Sequence, residues 1–278
     1  MRIPCPLSLA LLLLLPALPL LAQPKGGAGD LMVMPTRVVL EGRERSAEVA
    51  LRNVGSQKST YRILFKEMDM LPEGRLEERN KKPGEITASD LVRYSPRQVE
   101  LEPGETQTVR LQLRKPEGLP DGEYRSHLLF QAIPPVEPPK PLDAETPGAI
   151  SFDIKTLFGI SIPVIVRHGT VRGSASLANL KLEAPKQDGT PVLALDLQRE
   201  GNRSLGGEIQ VRWEPASGRP VVVLPLAGAV IYHNLSSRHL RLDLPGAKGL
   251  ALRNGRLRVT FTPRDYKQVP VVATLDLT

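Results

Sequence analysis

Apolar and polar residues alternate along most of this chain, and helical periodicity is almost absent. The clearest alternating segments are RVVLEG, SAEVALRNV, TYRILFKEM, QVELEPG, TQTVRLQLR and SHLLFQAI. After residue 169 come VLALDLQRE, GEIQVRWEP, RPVVVLPLAGAVIYH, HLRLDL, LALRNGRLRVTF and VPVVATLDL. A period of two is the mark of a strand with one buried face. Turn signals separate the segments at Glu41-Gly42, Pro103-Gly104, Asp121-Gly122, Asp188-Gly189 and Asn254-Gly255. The last of these predicts a two-residue hairpin between LALR and RLRVTF. Strand after strand without intervening helices predicts an all-β fold of antiparallel sandwiches. One charged insertion, LPEGRLEERNKKPGEITASDLV, reads as a solvated loop with a single short helix.

The longest alternation is ISFDIKTLFGISIPVIVRHG, residues 150–169. Its even positions are Ile150, Phe152, Ile154, Thr156, Phe158, Ile160, Ile162, Val164 and Val166. An ordinary strand has about five or six residues, and this pattern runs roughly three times as far. The expectation is therefore divided. Ile160 to Val166 belongs to the chain's own sheet, and Ile150 to Phe158 is presented to something else. The segment before it, PPVEPPKPLDAETPGA, is too rich in proline to pair and favours extended backbone. The strand rhythm restarts after His168-Gly169, which places a domain boundary there: 23–168 for a first sandwich of about seven strands, 169–278 for a second.

The first residues change the setting. MRIPCPLSLALLLLLPALPLLAQ has one Arg, an apolar run and a small residue before a polar segment, so residues 1–22 read as a secretory signal peptide. The run is short for a membrane span and contains Pro16 and Pro19. The expected product is exported and soluble, with no stable membrane insertion. Cys5 is the only cysteine and precedes the apolar run, so the processed chain would hold no thiol. That excludes disulfides, cysteine metal sites and cysteine catalysis. The formal charge is +7, but basic residues are interspersed with acidic ones. Aromatics make up 4%, with no basic stripe interleaved with rings, so nucleic acid is not an expected partner.

Candidate chemistry is sparse. His127, His168, His233 and His239 have no metal-ligand spacing with each other or with carboxylates. There is no G-x-S-x-G, no Gly-rich phosphate loop and no H-E-x-x-H. The sequence predicts no enzyme, no metal and no cofactor. Asn202-Arg203-Ser204 and Asn234-Leu235-Ser236 are sequons that matter only in a host that glycosylates. Backbone chemistry remains. An edge strand with large alternate side chains can complete the sheet of another protein. Each Ile or Phe it buries contributes about 1.5–3 kcal/mol before the ordering cost of association.

Four pieces in order, PTRVVLEG with ALRNVG, YSPRQVELEPGETQTVRL, GLPDGEYRSHLLFQAIPP and the long strand, span Met32 to Gly169. In this order and spacing the chain resembles the periplasmic pilus-assembly chaperones, the PapD-like family. The resemblance implies two immunoglobulin-like β-sandwich domains in tandem and a last first-domain strand lent to a pilin-like subunit. Arg37 falls on the family's cleft arginine, which anchors the subunit's C-terminal carboxylate. The donor residues fall on Ile154, Thr156 and Phe158, with Ile150 and Phe152 extending the same face. Thr156 departs from the usual aliphatic residue. Glu123 and Arg167 match a pair that bridges the domains. The family's second anchor, a lysine, aligns with Pro163; Lys155 lies too far upstream to replace it. Either another basic residue completes the cleft or the client is anchored differently.

The implied partners are pilin-like subunits and an outer-membrane usher, and the implied location is the periplasm after signal-peptide cleavage. Self-association that caps the donor strand is left open. Two rivals also stay open. A structural immunoglobulin-like envelope or pilus protein would use the strand only for its own sheet. A hydrolase or carbohydrate-binding module would need clustered carboxylates or an aromatic platform, and Trp213 is the only Trp.

Overall fold

The computed structural model describes residues 30–134, 158–264 and 269–278. The leader, the proline-rich segment, Lys155 and the donor positions Ile150, Phe152, Ile154 and Thr156 lie outside the described residues. The chain is all-β, with strands β1 (Leu31–Met34), β2 (Val38–Leu40), β3 (Ser46–Asn53), β4 (Ser59–Met70) and β5 (Leu76–Arg79). A four-residue helix α1 (Ala88–Leu91) precedes β6 (Val92–Ser95), β7 (Gln98–Leu101), β8 (Thr106–Leu113), β9 (Gly122–Ile133) and β10 (Gly159–His168). Then follow β11 (Gly173–Glu183), β12 (Val192–Gly201), β13 (Leu205–Pro215) and β14 (Val221–Ile231). The chain ends with β15 (Ser237–Asp243), β16 (Gly255–Pro263) and β17 (Val271–Leu277).

In the first sandwich a sheet of order β1-β3-β8-β6 faces one of order β2-β10-β9-β4-β5, with β7 also beside β4. The alternation decides which side chains meet. Val49, Leu51, Val109 and Leu111 come from one sheet, and Ile63, Leu128, Phe130, Ile162 and Val164 from the other, forming one buried core. The second sandwich sets β11-β12-β15 against β14-β13-β16-β17. Its separate core holds Leu193, Leu195, Leu197, Ile209, Val211, Trp213, Val259 and Phe261. The first sandwich has ten strands among the described residues, more than the seven expected, because β1, β5 and β6 are four-residue pieces that show no period.

Two local expectations are corrected. Leu250–Arg253 forms no strand, and Asn254-Gly255 is no hairpin turn. β16 instead pairs with β13 and β17. Asn254 takes a φ of 51° and accepts a hydrogen bond from Ala216 N–H. A Cβ at Gly255 would stand 2.6 Å from both the Glu214 carbonyl and the Trp213 ring, so this glycine permits strand approach. The charged insertion is more ordered than a solvated loop. Its first part turns back as β5 onto β4, and its second carries the expected helix, α1. The buried Glu67 of β4 accepts from the hydroxyls of Thr87, Ser89 and Ser126, each at 2.9 Å, and so ties α1 to the sheet. Buried carboxylates persist only with such partners.

Candidate functional site: an open strand edge beside a cationic cleft

β10 pairs with β9 along its whole length, from Gly159↔Gln131 to His168↔Gly122. On its other side β2 runs parallel and covers only Val164–Val166. Gly159 to Pro163 therefore has no second strand beside it among the described residues. The N–H of Ala132 donates to the Phe158 carbonyl at 2.9 Å, which makes Phe158 and Ala132 a hydrogen-bonded pair. In an antiparallel ladder such pairs alternate. Even-numbered residues of β10 therefore point their backbone groups at β9, and odd-numbered ones point at the open side. Pro163 is odd, so its missing N–H takes nothing from the β9 ladder, which is how an edge tolerates proline. Side chains alternate as well. Ile162, Val164 and Val166 enter the core with Ile160 packed against it, as expected, and Phe158 is 57% exposed. An apolar side chain thus stands in solvent where the open edge begins.

Beside this edge lies a cleft of about 220 Å³ lined by Thr36, Arg37, Arg125, Pro163, Ser204, Gly206, Val230 and Tyr232. Arg37 is exposed and immediately precedes β2, whose parallel register (Val38 opposite Val164) sets it next to Pro163. Arg125 comes from β9 and is buried against the second sandwich. Its Nη2 donates to Ser204 Oγ at 2.6 Å and to Glu123 Oε1 at 3.1 Å, and its guanidinium lies 3.8 Å from the centre of the Tyr232 ring. Arg125 Nε is buried and has no hydrogen-bond partner among the described residues. Two guanidiniums thus line one small cleft, a setting for a carboxylate.

Glu123 and Arg167 stand together: Arg167 Nε donates to Glu123 Oε2 at 3.3 Å, with both side chains almost fully buried. The Ser204 hydroxyl, from the second sandwich, donates to Glu123 Oε1 at 2.5 Å. Burial works against ionisation of Glu123, but Arg125, Ser204 and Arg167 outweigh it and hold its pKa below the ordinary value. Arg167 in turn donates to Glu41 at 2.9 Å. Because these side chains are buried, removing one partner would leave an uncompensated charge and cost heavily in stability.

Sequence reasoning gave Arg125, His127, Ser204 and Tyr232 no role at this site. His127 Nε2 lies 3.2 Å from Tyr232 Oη, and burial, followed by the nearby Arg125 charge, pushes the His127 pKa down to about 4. A signal for two of them is present in GEYRSHLLF. Glu123, Arg125 and His127 alternate, so three ionisable side chains occupy the outer face of a strand whose inner face is core. Ser204 and Tyr232 have no such signal, because they meet this face only through folding of the second sandwich. Among the described residues no group of three His, Cys, Asp or Glu could hold a metal. No helix among them is long and apolar enough to cross a membrane.

Residues 30–167 match the family profile described as pili and flagellar-assembly chaperone, PapD N-terminal domain. A search of the curated proteins finds no match. Among solved structures, the chain is similar to the CupB2 chaperone of Pseudomonas aeruginosa at 12% identity and a TM-score of 0.46, covering 89% of this chain and 100% of that one. It is also similar to the class 5 fimbriae chaperone CfaA, at 15% identity and a TM-score of 0.45, covering 88% and 98%. A third is a Salmonella enterica SafA pilin–SafB chaperone complex, at 15% identity and a TM-score of 0.42, covering 89% and 97%. Through the sandwich that carries β10, Arg37 and Glu123, the chain belongs to the PapD-like family of pilus-assembly chaperones, whose members are not enzymes.

Proposed function

We propose that this chaperone captures a pilin-like subunit that lacks a strand and completes its sheet with its own. The client pairs with the open edge of β10 and with the stretch upstream of it. Ile150, Phe152, Ile154, Thr156 and Phe158 fill the client's vacant apolar positions. Arg37 and Arg125 hold the client's C-terminal carboxylate, so that Arg125, reaching in from the neighbouring strand, takes the part of the basic residue absent at Pro163. A planar guanidinium that keeps its charge at any working pH suits this task. Glu123 and Arg167 hold the two sandwiches, divided at His168–Gly169, around the cleft. The chain works in the periplasm after loss of residues 1–22 and hands its client to an outer-membrane usher. Exchange of one donated strand for another drives release, and no cofactor is involved.

The observation that carries this reading is the edge at Gly159–Pro163, which has no second strand beside it among the described residues, preceded by an exposed Phe158. An unprotected edge with apolar side chains invites pairing with another chain. The test is a pull-down from periplasm with tagged wild type beside Ile154→Asp/Phe158→Asp, with folding checked by circular dichroism. Wild type should bring down a small β-rich exported protein, and the folded variant should not. Equal capture by both, or an unfolded variant, would favour a structural protein that uses the strand only for itself.

A further inference from the structure

Between β14 and β15 the chain makes one tight turn, Tyr232–Ser236, closed by Leu235 N–H donating to the Tyr232 carbonyl at 3.1 Å. Three consecutive side chains leave this turn toward the first sandwich. Tyr232 lies under Arg125 and beside His127. His233 Nδ1 stands 3.9 Å from Glu123 Oε1. Asn234 pairs its amide with the backbone of Met70, donating from Nδ2 to the carbonyl at 2.9 Å and accepting from the N–H at 3.4 Å. The β4–β5 hairpin then continues along β15, whose His239 N–H donates to the Pro72 carbonyl at 2.8 Å. Met70, Ile165 and Tyr232 are buried although they belong to neither core, as residues of a closed seam would be.

Behind the turn stands Arg199 of β12. Its guanidinium is buried and makes no hydrogen bond to a carboxylate among the described residues; it spends its donors on carbonyls. Nε reaches Leu235 at 2.8 Å, Nη2 reaches His233 at 3.0 Å, and Nη1 reaches Gly201 at 2.5 Å and Arg203 at 3.1 Å. One side chain thereby binds the turn that offers Tyr232, His233 and Asn234 to the segment that offers Ser204. A buried cation is expensive to desolvate, so four carbonyls converging on one fork mark a shape that has to be held.

We propose that the turn Tyr232–Ser236, shaped from behind by Arg199, is a buckle that fixes the second sandwich against the cleft. Arg199 is then a positioning residue: it touches no client and acts through Tyr232 and Arg125. The proposal rests on the cleft binding a client carboxylate as described above.

The test uses the full chain carrying Cys5→Ser, with spin labels at Arg110→Cys and Arg253→Cys, one exposed site on each sandwich. Arg199→Lys keeps the charge but lacks the fork, and Asn234→Ala removes only the amide that pairs with the Met70 backbone from a surface residue, a milder change that keeps the test available if Arg199→Lys does not fold. The binding probe is a short, alternately apolar peptide with a free C-terminal carboxylate, beside its amidated twin. Wild type should give one narrow distance and prefer the carboxylate. Each folded variant should broaden the distance distribution and lose about tenfold of that preference, the effect of one or two hydrogen bonds. Unchanged narrow distances would overturn the buckle. Broadened distances with an unchanged preference would overturn its link to the cleft. A wild type indifferent to the carboxylate would instead defeat the anchor assignment, and the distances alone would then decide the buckle.

Discussion

Arg37 and Arg125 differ in a way that makes them separable by mutation. Arg37 is exposed at the rim, whereas Arg125 is packed between Glu123, Ser204 and Tyr232. Arg37→Ala should lower the melting temperature less than Arg125→Ala does and weaken a carboxylate-terminated peptide by about 10- to 100-fold, the range of a charge-assisted hydrogen bond. Titration calorimetry of the two proteins with that peptide checks it. His127 makes a prediction with a definite sign. Burial and then Arg125 lower its pKa from 6.5 to about 4. Between those values the unfolded chain binds a proton that the folded chain refuses. Stability present above pH 6.5 is therefore lost as the pH falls toward 4, by up to about 3 kcal/mol. Urea unfolding at about pH 7.5 and about pH 5 should show this loss in wild type and a smaller one in His127→Gln. Of these side chains, Arg37 was legible as part of a motif. Arg125 and His127 were not singled out, since three alternating polar residues outside a core usually meet water, and here they meet a second sandwich.

Strands and turns show the same division between what local pattern can and cannot say. β3, β8 and β13 were legible because each buries one face more deeply than the other, and burial writes a period of two into the sequence. β1 and β5 are too short for a period, and β11 is interrupted by a register shift between Ala178 and Lys181, where Asn179 takes a φ of 54°. Asn254-Gly255 misled because the same two residues that favour a hairpin also permit close strand approach. The β4–β5 turn gives a test at this level. Gly74 has a φ of 89°, and a Cβ there would lie 2.0 Å from Arg238 Nη2. Gly74→Ala should destabilise the protein by about 1–3 kcal/mol, read as a shift in the urea midpoint, through backbone strain and displacement of Arg238. Within the core of the first sandwich, Leu128→Ala should cost about 2–5 kcal/mol by the same measurement. Phe158→Asp should leave the midpoint of the free protein unchanged, because its side chain is already in solvent.

Taken together, the two sandwiches frame one edge and one cleft. Glu123 sits where β9 and β10 begin and end, and its carboxylate is shared among Arg125, Arg167 and Ser204. The seam is therefore polar and specific, and it leaves the far end of β10 uncovered. On the proposed function that division of one strand accounts for its length: the C-terminal half closes its own sheet, and the N-terminal half would pair with a client. The total extent of the alternation was readable from residues 150–169, and so was the placement of Ile160–Val166 in the chain's own sheet. Which backbone groups face outward was not, because it depends on the register with β9.

That register supplies the most direct test of strand donation. Amide hydrogen exchange would be followed residue by residue on β10, first in the free protein and then loaded with the client recovered from periplasm. The N–H groups of Gly159 and Ser161 should exchange quickly in the free protein and become strongly protected in the complex. Those of Ile160 and Ile162, already bonded to β9, should be slow in both. Protection that leaves Gly159 and Ser161 unchanged while the client is bound would place the client elsewhere and contradict pairing at this edge.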